Sequence, residues 1–203
     1  ELRVDIQAEG YCFRGHSDTE VLLNLYLSQR HSADGVQAML RRLNGIFAFA
    51  IWDAGRGALL LARDALGVKP LYFSTTTDGF AFASEIKALL PLLSKSVEQA
   101  GSLFGDLDVD AINRYLSFQW CPGEGTPTRS LRKLGPGEAL WVREGEISER
   151  FIWYQLPAFR SGGMRSTAGS GTANYRPKLT ESEAILGTEQ YLRQAVHRQM
   201  VAD

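Results

Sequence analysis

The sequence predicts an α+β fold built on antiparallel strands, and three observations carry that expectation. Between residues 43 and 90, short apolar runs are cut at close intervals by Gly, Asp, Pro and Thr clusters, the pattern of consecutive antiparallel strands joined as a meander. Apolar positions at helical spacing flank that stretch on both sides. The composition is that of a globular chain with a sizeable core: 203 residues, 44% hydrophobic and 22% charged.

In chain order, residues 1–7 place Leu2 and Ile6 on one helical face, and Gly10 closes that helix before an extended GYCFRGH segment. The first residue is not Met, and a helix at the very start leads to the expectation that residues precede Glu1. Ser17, Asp18, Thr19 and Glu20 read as a capping box, with the Ser17 hydroxyl accepting from the Glu20 N–H and the Glu20 carboxylate reaching back to Ser17. The helix that follows buries Val21, Leu22, Leu25 and Tyr26, and a second over 34–43 turns Val36, Met39, Leu40 and Leu43 inward.

The run 45–53 is almost wholly apolar, so it is expected to be a central strand covered on both faces. The Asp- and Gly-bearing turn 53–57 pairs it with a strand over 58–62. A bend at 63–70 precedes strands at 71–74 and 80–83 around the turn 75–79. Ser84 then caps a helix carrying Ile86, Leu89, Leu90 and Leu93 over the sheet.

Residues 94–107 read as a surface loop, and Asp108 as the N-cap of a helix over 110–119 that ends at the Pro- and Gly-rich 121–127. Strands at 131–134 and 140–142 flank Gly135-Pro136-Gly137, 144–146 is a hairpin turn, and strand character runs to about Trp153. The stretch 159–178 is dominated by Gly, Ser, Thr and Ala and reads as a mobile linker. A second capping box, Thr180 to Glu183, opens a helix to about Gln199 with Ile185, Leu186, Leu192 and Val196 on one side.

A net charge of −1 and a pI near 6.4 leave no basic footprint for nucleic acid or an anionic membrane. No apolar stretch approaches the roughly 20 residues that span a bilayer, and no signal-peptide pattern is present, so a cytoplasmic location is expected. The two cysteines, Cys12 and Cys121, lack metal-ligand spacing and are read as reduced.

Four ordered motifs, GHSDTEVLL (15–23), RLNGIFAFAIWD (42–53), LARDALGVKPLYF (61–73) and FASEIKALL (82–90), closely resemble the glutaminase domain of glutamine-hydrolysing asparagine synthetases. PGEGT (122–126) and KLGPGEALWV (133–142) look like the end of that domain, and the last helix resembles the first helix of the family's synthetase domain.

The resemblance implies a class II glutamine amidotransferase with the N-terminal-nucleophile fold, a four-layer α/β/β/α sandwich of antiparallel sheets. It divides the chain into 1–157, a partial glutaminase domain lacking its N-terminal strands, 158–179, a flexible linker, and 180–203, the start of an ATP-dependent synthetase domain. In that family an N-terminal Cys thiolate attacks the glutamine amide with its own α-amine as base, and ammonia passes to an aspartyl-adenylate made from aspartate and MgATP. The Cys, the carboxylate-binding Arg and the oxyanion-hole Asn-Gly pair of the family fall before Glu1, and the Ser-Gly-Gly-x-Asp-Ser phosphate motif falls after Asp203. The chain is therefore expected to be part of a larger ligase, with no catalytic, cofactor or metal residue of its own. Glutamine, aspartate and ATP are the implied substrates, Mg²⁺ accompanies ATP in the whole enzyme, and a homodimer is the implied assembly. Three alternatives remain open: another class II amidotransferase, such as the phosphoribosylamine or glucosamine-phosphate synthesising families; an asparagine-synthetase-like enzyme that acylates or cyclises another substrate; and a non-catalytic binding or oligomerisation module.

Asp18 matches the family's acidic residue that binds the α-ammonium group of glutamine. A carboxylate fixed on the first turn of a helix also suits a small cation on physical grounds, although acidic residues favour such turns for dipole reasons alone. His16 is less favoured, and capping accounts for Ser17. Arg63 and Asp64 are expected to fix a loop as a buried ion pair, Lys69 to be a solvated turn residue, and Cys12 and Cys121 to be small core hydrophobes.

Overall fold

A computed structural model describes residues 2–32, 34–76, 79–92, 106–156 and 179–200. The chain divides into two units, Glu1–Ala158 and Phe159–Asp203. Residues 158–178 of the expected linker and most of the expected loop at 94–107 lie outside the described residues.

In the first unit three helices lead, α1 (Leu2–Ala8), α2 (Asp18–Gln29) and α3 (Gly35–Arg42). They are followed by β1 (Ala48–Asp53), β2 (Ala58–Arg63), β3 (Tyr72–Thr76), β4 (Gly79–Ala83) and helix α4, residues 86–92. Then come α5 (Val109–Phe118), β5 (Arg132–Lys133), β6 (Glu138–Arg143) and β7 (Glu146–Ile152). The strands form two antiparallel sheets, a first of order β1-β2-β6-β7 and a second of order β4-β3-β5.

The two-residue period of β2 and β6 divides the core into layers. Ala58, Leu60 and Ala62 of β2, with Ala139 and Trp141 of β6, pack against Ile6, Leu25, Tyr26, Met39 and Leu40 of the three leading helices. The alternate residues, Leu61 of β2 and Leu140 and Val142 of β6, face Phe73 of β3 with Leu71 and Leu134, so the second sheet lies on the other side. On the outer face of that sheet, Leu89 of α4 joins Leu131, with Tyr72, Ala81 and Ala83 beside them. Helix, sheet, sheet and helix are the four layers. Each fully buried Leu contributes roughly 1.5–3 kcal/mol, which makes β2 and β6, buried along almost their whole length, the axis of the fold.

Two expectations about the strands are corrected. The four strands of residues 48–83 form no single meander: β1 and β2 pair as a hairpin in the first sheet, while β3 and β4 pair in the second. The bend after Arg63 carries the chain from one sheet to the other, and Gly135-Pro136-Gly137 carries it back between β5 and β6. These two crossings are stitched together, because Gly137 N–H donates to Asp64 O (2.9 Å), Leu134 N–H donates to Leu71 O (2.9 Å), and the Arg63 guanidinium donates to Leu134 O.

The second correction concerns β1, which is an edge strand among the described residues rather than a central one, with Trp52 63% exposed. Its apolar run covers the helices through Phe49 and Ile51, while the intervening residues take no part in that layer.

The second unit is described as helix α6 (Glu181–Gln199). Its capping box forms as read: Thr180 accepts from Glu183 N–H, and the Glu183 carboxylate accepts from Thr180 N–H (2.8 Å).

Candidate functional site

Asp18 opens α2, and the local sequence accounts for its placement. Ser17 is the N-cap, but its hydroxyl accepts from Thr19 N–H (3.1 Å) and not from Glu20. The expected reciprocal box is therefore absent. Glu20 turns instead to the preceding segment, accepting from Arg14 N–H (2.7 Å) and Gly15 N–H (2.8 Å), and those two bonds hold its carboxyl below the usual carboxylate range. This use of Glu20, and the part taken by Arg3 below, carry no signature in the sequence, since a capping box and a solvated helix Arg explain the same letters.

The exposed Asp18 carboxylate has no hydrogen bond or ion pair to any of the described residues. It borders a cavity of about 640 Å³ between α1, the start of α2 and residues 43–49, with Arg3, Leu22, Asn44, Phe47 and Phe49 also in the wall. An unpaired anion on a fixed first turn, facing a cavity with an apolar floor, is chemically suited to a small organic cation.

His16 is exposed and does not line this cavity. Cys12 is not a core residue: it is exposed, because Tyr11 and Phe13 alternate with it and turn inward onto the helical core. Cys121 is half-buried, its thiol directed at Ala111 O (3.5 Å).

Arg63 and Asp64 fix the bend as expected but do not pair with each other. The Asp64 carboxylate accepts from the N–H groups of Leu66 (3.1 Å), Val68 (3.0 Å) and Lys69 (3.0 Å). Arg63 donates to the carbonyls of Gly67, Lys69 and Leu134. Lys69 itself is exposed.

A second cavity of about 550 Å³ is bordered by Arg63, Tyr72, Tyr115, Trp120 and Lys133. Burial pushes the Lys133 ammonium down, Arg63 adds repulsion, and the Lys133 Nζ already donates to Cys121 O (2.6 Å). Its cations thus serve the surrounding backbone. Among the described residues no three His, Cys, Asp or Glu side chains cluster to hold a metal ion, and no helix is long and apolar enough to cross a membrane.

Two antiparallel sheets between helical layers define the class as a four-layer α/β/β/α sandwich, the architecture of the N-terminal-nucleophile fold. A solved glutamine phosphoribosylpyrophosphate amidotransferase from B. subtilis shares that fold with a TM-score of 0.51 at 22% identity, over 76% of this chain and 26% of its own. The family model described as a glutamine amidotransferase domain matches residues 1–153, and the chain belongs to that family. A Bacillus subtilis (strain 168) protein named asparagine synthetase [glutamine-hydrolyzing] 1 is 38% identical over 187 residues, 92% of this chain and 24% of the relative. Asparagine synthetase [glutamine-hydrolyzing] 3 of the same organism is 42% identical over 157 residues, 75% of this chain and 22% of the relative. The chain spans about a quarter of the length of these relatives.

Proposed function

We propose that this chain supplies the amidotransferase part of a glutamine-dependent asparagine synthetase, in which Asp18 binds the α-ammonium group of glutamine. Hydrolysis of the glutamine side-chain amide gives glutamate and ammonia, and the ammonia amidates aspartate at the expense of ATP. The observation that carries the reading is the unpaired Asp18 carboxylate beside its cavity, within a chain whose relatives bear that name. Support for the domain plan comes from the same relatives and from composition: 1–157 as amidotransferase, 158–179 as a Gly- and Ser-rich linker, and 180–203 as the first helix of the synthetase part.

Within this reading the chain's residues bind and orient glutamine and do not perform the acyl transfer. Neither cysteine borders the Asp18 cavity. In the same reading, ATP and its Mg²⁺ belong to the synthetase part of the whole enzyme. The enzyme works in the cytoplasm, as a homodimer.

The test uses Asp18→Asn in the intact protein, assayed with glutamine and with free ammonia. Loss of a charge-assisted hydrogen bond costs about 1.5–3 kcal/mol, so glutamine-dependent kcat/KM is expected to fall about 10- to 100-fold while synthesis from ammonia persists. Equal losses with both nitrogen donors would assign Asp18 to the start of α2 alone, and no loss with glutamine would remove it from the site.

A further inference from the structure

The Asp18 cavity contains a cation that does not neutralise Asp18. Arg3 borders the same cavity, and a guanidinium within reach of a carboxylate ordinarily pairs with it through two hydrogen bonds. Here two of its five N–H donors go to backbone instead, one from Nη1 to Gly15 O (2.8 Å) and one from Nη2 to Ser17 O (3.4 Å). Its planar face lies over the Phe13 ring at 4.4 Å from the centroid, and Phe13 is packed against the helical core. From the other side, the two oxygens of Glu20 take Arg14 N–H and Gly15 N–H. Gly15 is thus gripped through its N–H by Glu20 and through its C=O by Arg3, one turn of chain before Asp18.

We propose that Arg3 and Glu20 are positioning residues for Asp18, clamping residues 13–17 so that the carboxylate faces the cavity and stays unpaired until a substrate ammonium arrives. This rests on the reading of Asp18 given above. Committing Arg3 to two carbonyls does two things: it sets the direction of the first turn of α2, and it keeps the internal cation from occupying the place of the substrate cation. Neither Arg3 nor Glu20 needs to touch the substrate. Both partners of the clamp are at the surface, where the freed carbonyl and N–H groups can turn to water, so their loss bears on where Asp18 points far more than on whether the chain folds.

A double-mutant cycle in the intact protein tests this, with thermal melting of every variant. Arg3→Met keeps an apolar stem on Phe13 but removes both donors. Glu20→Gln sets an amide NH₂ against one of the two backbone N–H groups. Each is expected to raise the KM for glutamine about 10-fold with little change in kcat, because misplaced charge weakens capture. In an Asp18→Asn background either change is expected to add less than about twofold, since the group they position has lost its charge. Multiplicative losses, or losses that track a fall in Tm, would overturn the proposal in favour of a purely structural clamp. An unchanged KM in both single variants, with Asp18→Asn still impaired, would overturn it as well. Should Asp18→Asn itself leave the KM unchanged, the reading of the site falls and the clamp falls with it.

Discussion

The Tyr26 hydroxyl donates to the Asp53 carboxylate across 2.6 Å, joining the middle of α2 to the end of β1. Tyr26 is 2% exposed and Asp53 5%. The same carboxylate accepts from Arg56 N–H (3.1 Å) and stands 3.7 Å from the Arg30 guanidinium, so one buried anion ties the helical layer to the β1–β2 turn. Tyr26→Phe leaves Asp53 with cations at longer range and no short donor on that oxygen. The expected cost is about 1–3 kcal/mol, read as a lower urea midpoint with an unchanged slope. A midpoint equal to the parent's would show that the arginines alone hold the carboxylate.

The same pair sets a pH dependence with two limbs. The Tyr26 bond, ahead of other causes, holds the Asp53 carboxyl below its ordinary value of 3.8. Its contribution is full above that value and is lost as pH falls through the lower folded-state value. Burial, then the bond to Asp53, pushes the Tyr26 hydroxyl from 10.0 up to about 12. Between those values the unfolded chain gives up the proton and the folded chain keeps it, so stability falls as pH rises through the window. Subtracting the Tyr26→Phe stability profile from the parent's should leave a difference that shrinks at both extremes. A difference constant from acid to alkali would exclude the pair as its source.

Much of this architecture is legible in the letters, and the misses share a cause. The 53–57 turn joins two apolar runs and does make the β1–β2 hairpin, and Thr180 and Glu183 do form their box. The bend at 63–70 and the Gly135-Pro136-Gly137 turn have the same local composition, yet they hand the chain between sheets. What separates the two kinds of turn is long-range: Arg63 reaching Leu134 O and Gly137 reaching Asp64 O span positions no local window contains. At the site, Asp18 is readable from its motif. Arg3 is not, because its partners Gly15 and Ser17 are backbone carbonyls, which any residue type supplies.

Asp64 provides a test of the bend itself. It is 1% exposed, and both of its carboxylate oxygens accept from backbone N–H groups, three in all. Asp64→Asn keeps shape but sets an NH₂ against at least one of those N–H groups, at a cost of about 1–3 kcal/mol. The exposed neighbour Lys69 provides the comparison: Lys69→Ala should stay within about 0.5 kcal/mol, since only its backbone enters the bend. Chemical denaturation of both variants decides the matter, and equal losses would mean that charge in the bend, not the acceptor geometry of Asp64, is what matters.

Gly137 combines the two reasons a position can demand glycine. Its φ of +63° lies in the left-handed region, and a Cβ built there would sit 2.2 Å from Tyr154 O, a backbone atom that cannot swing aside as a side chain would. Moving the residue is no remedy, because its N–H donates to Asp64 O (2.9 Å) while its C=O accepts from Trp153 N–H (2.9 Å) and Tyr154 N–H (3.2 Å). Gly137→Ala therefore has to accept left-handed strain of about 1–2 kcal/mol and also give up at least one bond between the two sheet crossings. Gly10 separates these contributions: its φ is +94°, but a Cβ there meets nothing within 4 Å. Gly10→Ala is expected to cost only the backbone strain, and Gly137→Ala clearly more, about 2–5 kcal/mol in all. Calorimetry on the two variants reads the difference directly. Equal losses would show that the close approach to Tyr154 relaxes freely, and the stitching of the two crossings would then contribute little to the stability of the fold.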